Sequence, residues 1–172
     1  MAKEVTCHIT GEKGPKEEFV KIGRYYYKSQ EIYDAMVENR NKINEAKGII
    51  AKDFLGYAKG QKYPTYVDKK MKELDYYCGE VILRTIKEQY DTIEYYMRTK
   101  EFSSDFAKAS YIFAIITNTI NEVDKKYKKE QKEMKAAEKK QEELDCMVSL
   151  LNTSCEKAPK QRNKDISGFI GG

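Results

Sequence analysis

The strongest constraint on this chain is a pair of apolar stripes between Gly79 and Val123. The first carries Val81, Ile82, Ile86, Ile93 and Met97, with Tyr90 close to the same face. The second carries Phe106, Ala109, Ile112, Phe113, Ile116, Ile120 and Val123. Steps of three and four residues put such side chains on one face of a helix. The spacing predicts two helices joined by a short turn at Lys100–Asp105, with Ser103 or Ser104 as the cap of the second. Nothing else in the chain is as apolar, so this pair is expected to form the core.

The 172 residues suffice for one domain, or for one small domain plus an extension. Charged residues make up 35%, above the usual quarter, which fits long solvated helices. Fourteen Tyr and no Trp leave two readings open. The rings line a small helical core, or they stand at its edges and on a binding surface with the hydroxyl wet. A net charge of +4 and a pI near 8.7 permit a polyanionic partner without demanding one. Met1-Ala2-Lys3-Glu4 has no apolar run behind it and no stretch approaches a membrane span, so a location in the cytoplasm is expected. Cys7, Cys78, Cys146 and Cys155 show no paired framework and read as free thiols.

The segment from Thr6 to Tyr27 is short and punctuated by Gly. Cys7-His8-Ile9-Thr10-Gly11-Glu12 reads as a tight turn, and Gly14-Pro15 as a second breaker. Phe19-Val20-Lys21-Ile22 and Tyr25-Tyr26-Tyr27 flank Gly23-Arg24, the pattern of a β-hairpin. Ser29 is placed to cap the next helix, with Glu31 in its first turn. The order turn, hairpin, helix resembles a treble-clef zinc finger of the kind found in small phage and mobile-element proteins. That resemblance implies zinc ligands from a Cys-x-x-Cys turn and from the first turn of the helix. Here Cys7 matches the first ligand, Thr10 stands where the second Cys belongs, and the helix offers Ser29 and Tyr33. Structural zinc takes four N or S ligands. The module is therefore expected to have lost its metal or to be an unrelated hairpin, and no metal or other cofactor is expected.

The next helix carries Ile32, Tyr33, Met36, Val37, Ile43, Ala46, Ile50, Phe54 and Leu55. Gly48 interrupts it at a cost of about 1 kcal/mol relative to Ala, so a kink or break is expected there. Gly56 to Thr65 is the clearest loop, with Lys and Tyr interleaved and no acid. Rings among positive charges suit stacking on bases and contact with phosphate. They also suit a surface loop whose Tyr rings cover a core edge. On the first reading Tyr57, Lys59, Lys62, Tyr63 and Tyr66, with Arg24 of the hairpin turn, form the binding surface. A short helix from Thr65 to Tyr76 follows Pro64, with Val67, Met71 and Leu74 inward.

Asp124 to Asp145 is nearly all Lys, Glu, Gln and Ala and reads as a solvated helix without a sustained heptad. Leu144, Met147, Val148, Leu150 and Leu151 then form an apolar patch that folds back or docks a partner. After a polar tether, Ile166, Phe169 and Ile170 form an apolar tip, read as a partner motif or as a tail packed on its own domain. The expected fold is mainly α: a small N-terminal β-hairpin over 1–28, a helical core over 29–123, a charged helix with an apolar end over 124–157, and a flexible tail over 158–172.

The run Glu80-Val81-Ile82 with Ile86, followed by Lys108-Ala109-Ser110-Tyr111-Ile112, Ile115-Ile116 and Asn118, is similar to the C-terminal domain of DnaD-like replication proteins of Gram-positive bacteria and their phages. That resemblance implies DNA binding and helicase loading. The aromatic residue that usually closes the family's pattern is absent, with Asn118 and Thr119 in its place. No Gly-rich phosphate loop is present, and the single His is next to Cys7 with no oxyanion loop, so no enzyme is expected. The expected function is that of a non-catalytic phage-type accessory protein binding DNA, another nucleic acid or a nucleoprotein complex. The alternative is an anti-CRISPR-type inhibitor of a host defence complex that acts by protein–protein binding.

Overall fold

The computed structural model describes residues 3–58, 60–62 and 64–155, with side chains as far as 148. The chain divides into two units, Met1–Tyr127 and Lys128–Gly172. The fold is mainly α, as the periodicity predicts. Strands β1 (Glu4–Thr6), β2 (Lys13–Pro15), β3 (Val20–Ile22) and β4 (Tyr25–Tyr27) precede helices α1 (Gln30–Ile49), α2 (Thr65–Lys72), α3 (Gly79–Glu88), α4 (Tyr90–Thr99) and α5 (Asp105–Cys155).

The N-terminal segment forms two antiparallel ribbons rather than one. β3 and β4 pair across the Gly23-Arg24 turn, with Val20 opposite Tyr27 and Ile22 opposite Tyr25. β1 and β2 make the second ribbon, with Val5 opposite Gly14. β2 is Lys13-Gly14-Pro15, and its Gly-Pro pair reads from sequence as a breaker rather than a strand. A single bridge from Cys7 to Tyr26 joins the ribbons, and the His8 N–H donates to the Tyr26 carbonyl at 2.8 Å. The buried Tyr27 ring meets Tyr33 of α1 edge-on at 5.0 Å, which fixes the ribbons against that helix. Ser29 caps α1, its hydroxyl accepting from the Ile32 N–H at 3.3 Å.

Helix α1 passes Gly48 without a break and ends in a π-helical turn, Ile50–Phe54. The Ile50 N–H is shared between the Ala46 and Lys47 carbonyls, and the Leu55 N–H donates to the Ile50 carbonyl at 3.1 Å. The wider turn brings Ile50, Ala51, Phe54 and Leu55 all onto the buried face, which compensates the weak helix propensity of Gly48. Gly56, at φ 76°, then turns the chain away.

The central apolar pair is the core. Val81, Ile82, Ile86 and Ile93 are buried against Ala109, Ile112, Phe113, Ile116, Ile120 and Val123. Val67, Met71 and Leu74 point inward from α2 and the turn after it, as their spacing predicts. The first stripe is not one helix: it breaks at Gln89, where φ is −96° and ψ is 4°. One turn earlier the buried Thr85 hydroxyl donates to the Val81 carbonyl at 2.8 Å, a back-bond of the kind that bends helices. Ser104 caps α5, its hydroxyl accepting from the Ala107 N–H at 3.2 Å. Phe106, which the stripe assigns to the core, is 57% exposed. It stands in the first turn of α5, with one edge of its ring against Tyr66.

Candidate nucleic-acid interface

The loop after Gly56 is built around Ala58 and Gln61. The Ala58 N–H donates to the Gln61 side chain at 3.1 Å, and the Gln61 N–H donates back to the Ala58 carbonyl at 3.0 Å. Lys62 is exposed. Tyr57 and Tyr66 are half-buried and pack against the core. Tyr66 meets Phe106 edge-on at 5.7 Å. Its hydroxyl is sealed from solvent and has no hydrogen-bond partner among the described residues, with Tyr57 as a neighbour. Burial first, and then Tyr57, push the Tyr66 phenol up to about 12. Both Tyr residues thus serve the loop's footing as well as its surface. Lys59 and Tyr63 lie outside the described residues, as do Ile166, Phe169 and Ile170.

The positive charge around this loop extends beyond it. Residues 52–72 hold six Lys against two Asp, a local excess equal to the +4 of the entire chain. Lys52 precedes the loop, and Lys69 and Lys72 lie on α2; all three are exposed. Lys47 of α1 holds Asp68 at 2.7 Å, which engages one of the two acids. The rest of the chain sums to zero, although Lys157, Lys160, Arg162 and Lys164 make a second run of +4 without acid. Scanning loop and helix separately hides this excess, because it crosses the boundary at Pro64.

Arg24 is not part of that cluster. It lies before the start of α1 and the loop lies beyond its end, and a helix of 20 residues is about 30 Å long. Arg24 lines a cleft of ≈ 450 Å³ with Thr6, Cys7, His8, Gly11, Tyr25 and Tyr26. His8 stacks on Tyr25 at 4.1 Å, and the Arg24 guanidinium lies 5.8 Å from the same ring. Cys7 closes the cleft and is only 2% exposed. The Thr10 hydroxyl, followed by backbone N–H groups of Thr10, Ile9 and Lys28, lowers its thiol to about 7. Thr10 thus stands beside the Cys7 thiol, at the position where the treble-clef resemblance puts a second zinc ligand. Among the described residues no cluster of three or more His, Cys, Asp or Glu is arranged to hold a metal ion.

An aromatic knot between α4 and α5 escapes the sequence reading. The Lys100 ammonium lies 4.2 Å from the centre of the Tyr111 ring and 5.0 Å from that of Tyr96. It also donates to the Tyr111 hydroxyl at 2.8 Å. Tyr96 and Phe102 meet Tyr111 at 5.5 and 5.7 Å, and Tyr95 stands exposed beside Tyr96. The sequence signal is weak: two adjacent Tyr near the end of one helix, and a third far along the chain.

These features define a small, mainly helical protein with a two-ribbon head and one lysine-rich segment. No described helix is long and apolar enough to cross a membrane. The family model of the SPbeta prophage protein YorH matches residues 7–168, and the chain belongs to that phage family. No curated protein and no solved structure matches it. The family supports the phage-type reading, whereas the DnaD-like and treble-clef resemblances rest only on the residues quoted for them.

Proposed function

We propose that this phage protein is a non-catalytic accessory factor that binds DNA or a DNA-containing complex through the segment 52–72. The observation that supports the reading is the placement of charge. A net charge of +4 sits in this stretch, around a loop with Gly at φ 76° and φ 86° that lets backbone approach a ligand. Phosphate contacts from Lys supply affinity without sequence preference. Tyr rings at the loop add stacking on unpaired bases. A role in replication is the context in which such a factor would act.

The test is fluorescence anisotropy with labelled single- and double-stranded DNA across a salt series. Binding that weakens steeply with salt supports the proposal. The aromatic knot favours a second reading, binding to a host protein complex, because exposed Tyr clusters are common anchors of protein interfaces. Nuclease-resistant capture of a defined host complex, with no affinity for bare DNA, would replace the first reading with the second.

A further inference from the structure

The apolar stepping of α5 does not stop where its burial stops. Ala109, Phe113, Ile116, Ile120 and Val123 are buried. The same alternation of three and four continues through Tyr127, Glu130, Met134, Ala137, Gln141, Leu144 and Val148. Glu130 and Gln141 interrupt the apolar side chains, so beyond Tyr127 the period is carried by Met134, Ala137, Leu144 and Val148. From 128 to 148 the side chains are exposed apart from a half-buried Gln131, and Met134, Leu144 and Val148 are 55–56% exposed. A stripe with this period is the seam of a coiled coil.

We propose that a second copy of this chain covers the seam, in an antiparallel pair whose twofold axis passes level with the step from Lys135 to Ala136. The flanking charges select this pairing. A parallel, in-register pair sets Lys140 against Asp145 but Glu133 against Glu138 of the other chain, and it puts Glu130 against its own copy within the seam. An antiparallel pair centred at Lys139 sets Glu138 against Glu138 and Lys140 against Lys140. With the axis between 135 and 136, Glu133 faces Lys140 of the other copy, twice by symmetry. Met134 then faces Ala137, large against small, and the polar Glu130 and Gln141 face each other, where the amide donates to the carboxylate. The exposed seam runs from Glu130 to Leu144, about 22 Å of helix, and ends at Tyr127, which is half-buried against the core. That is short for a permanent dimer, so a dissociation constant in the micromolar range is expected.

The test is analytical ultracentrifugation of the full chain over a concentration series. The wild type is expected to move reversibly from monomer to dimer. Glu133→Lys places Lys opposite Lys140 and should weaken the dimer about tenfold. Glu133→Lys with Lys140→Glu restores opposite charges and should recover it. Both residues are exposed, and circular dichroism confirms that helix content is retained. A wild type that stays monomeric at every concentration overturns the proposal, as it would if the chain's own tail covered the seam. A dimer indifferent to Glu133→Lys overturns it too. A dimer tightened by that change points to the parallel pairing and also overturns it.

Discussion

The side-chain oxygen of Asn39, on α1, accepts the backbone N–H of Gly79 at 2.6 Å and so caps α3 from outside its own helix. The two backbones approach so closely that a Cβ at Gly79 would lie 2.5 Å from the Asn39 carbonyl oxygen. Gly79→Ala is therefore expected to force α1 and α3 apart. The cost should be about 1–3 kcal/mol, read as a lower midpoint in chemical denaturation. Asn39→Ala leaves the space but removes the cap, for about 1 kcal/mol. Equal losses for the two variants would show that the hydrogen bond, not the fit, matters at this crossing.

Ile112 and Ile116 are fully buried in the central pair. A charge there has no partner and costs several kcal/mol, comparable with the whole stability of a small domain. Ile112→Asp or Ile116→Asp should abolish cooperative unfolding. Ile116→Val should cost only about 0.5–1.5 kcal/mol. A wild-type melting temperature for either Asp variant would contradict the burial.

Glu80 accepts from Arg84 at 2.7 Å, and Lys42 holds it at 2.9 Å. Lys42 first, then Arg84, holds the Glu80 carboxyl below its ordinary range. A carboxylate with a lowered folded-state pKa stabilises the fold above its unfolded pKa, and that stabilisation is lost as pH falls through the folded value. Glu80→Gln should thus lower stability by about 1 kcal/mol at neutral pH and lose its effect in acid. A difference between the two proteins that stays constant from neutral to acid pH would rule the ion pair out as its cause.

The buried Tyr66 hydroxyl has no hydrogen-bond partner among the described residues, which is costly in a sealed site. Tyr66→Phe removes the hydroxyl and keeps the ring against Phe106. Its melting temperature should equal or exceed that of the wild type. A clear loss of stability would reveal that the hydroxyl contributes a bond after all.

Lys59→Glu with Lys62→Glu should weaken DNA binding and flatten its salt dependence by about two counterions, with the melting temperature nearly unchanged. Arg24 is about 30 Å away along α1, so Arg24→Ala should matter only for DNA longer than about nine base pairs. Binding to short and long duplexes compared side by side checks this. An equal effect on both lengths would place Arg24 at the same contact as the loop.

What the sequence revealed was whatever has a long period. The stripes of α3 to α5, the Ser29 and Ser104 caps and the inward Val67, Met71 and Leu74 follow from spacing and local hydrogen bonding. Short or non-periodic features were hidden. The β1–β2 ribbon runs through Gly14-Pro15, which looks like a breaker, and the break at Gln89 falls inside a continuous apolar stripe with no Gly or Pro to mark it. At the candidate site, the lysine-rich loop was legible from its composition. The separation of Arg24 from it was not, because that depends on the uninterrupted length of α1. The knot around Lys100 needs residues from two helices to meet, which no local pattern announces.

The π-helical turn at Ile50–Phe54 sets the compass bearing of the lysine-rich loop. Each residue of an α-helix turns the chain by about 100°, so a turn that absorbs one extra residue re-aims whatever leaves the helix after it. Deleting one residue within that turn, so that it rewinds as ordinary α-helix, would leave every loop side chain in place in the sequence. The loop would then depart roughly a quarter of the way around the helix from its present heading. Which way the protein presents its positive charge is thus fixed by the winding of the helix before the loop and not by the loop itself.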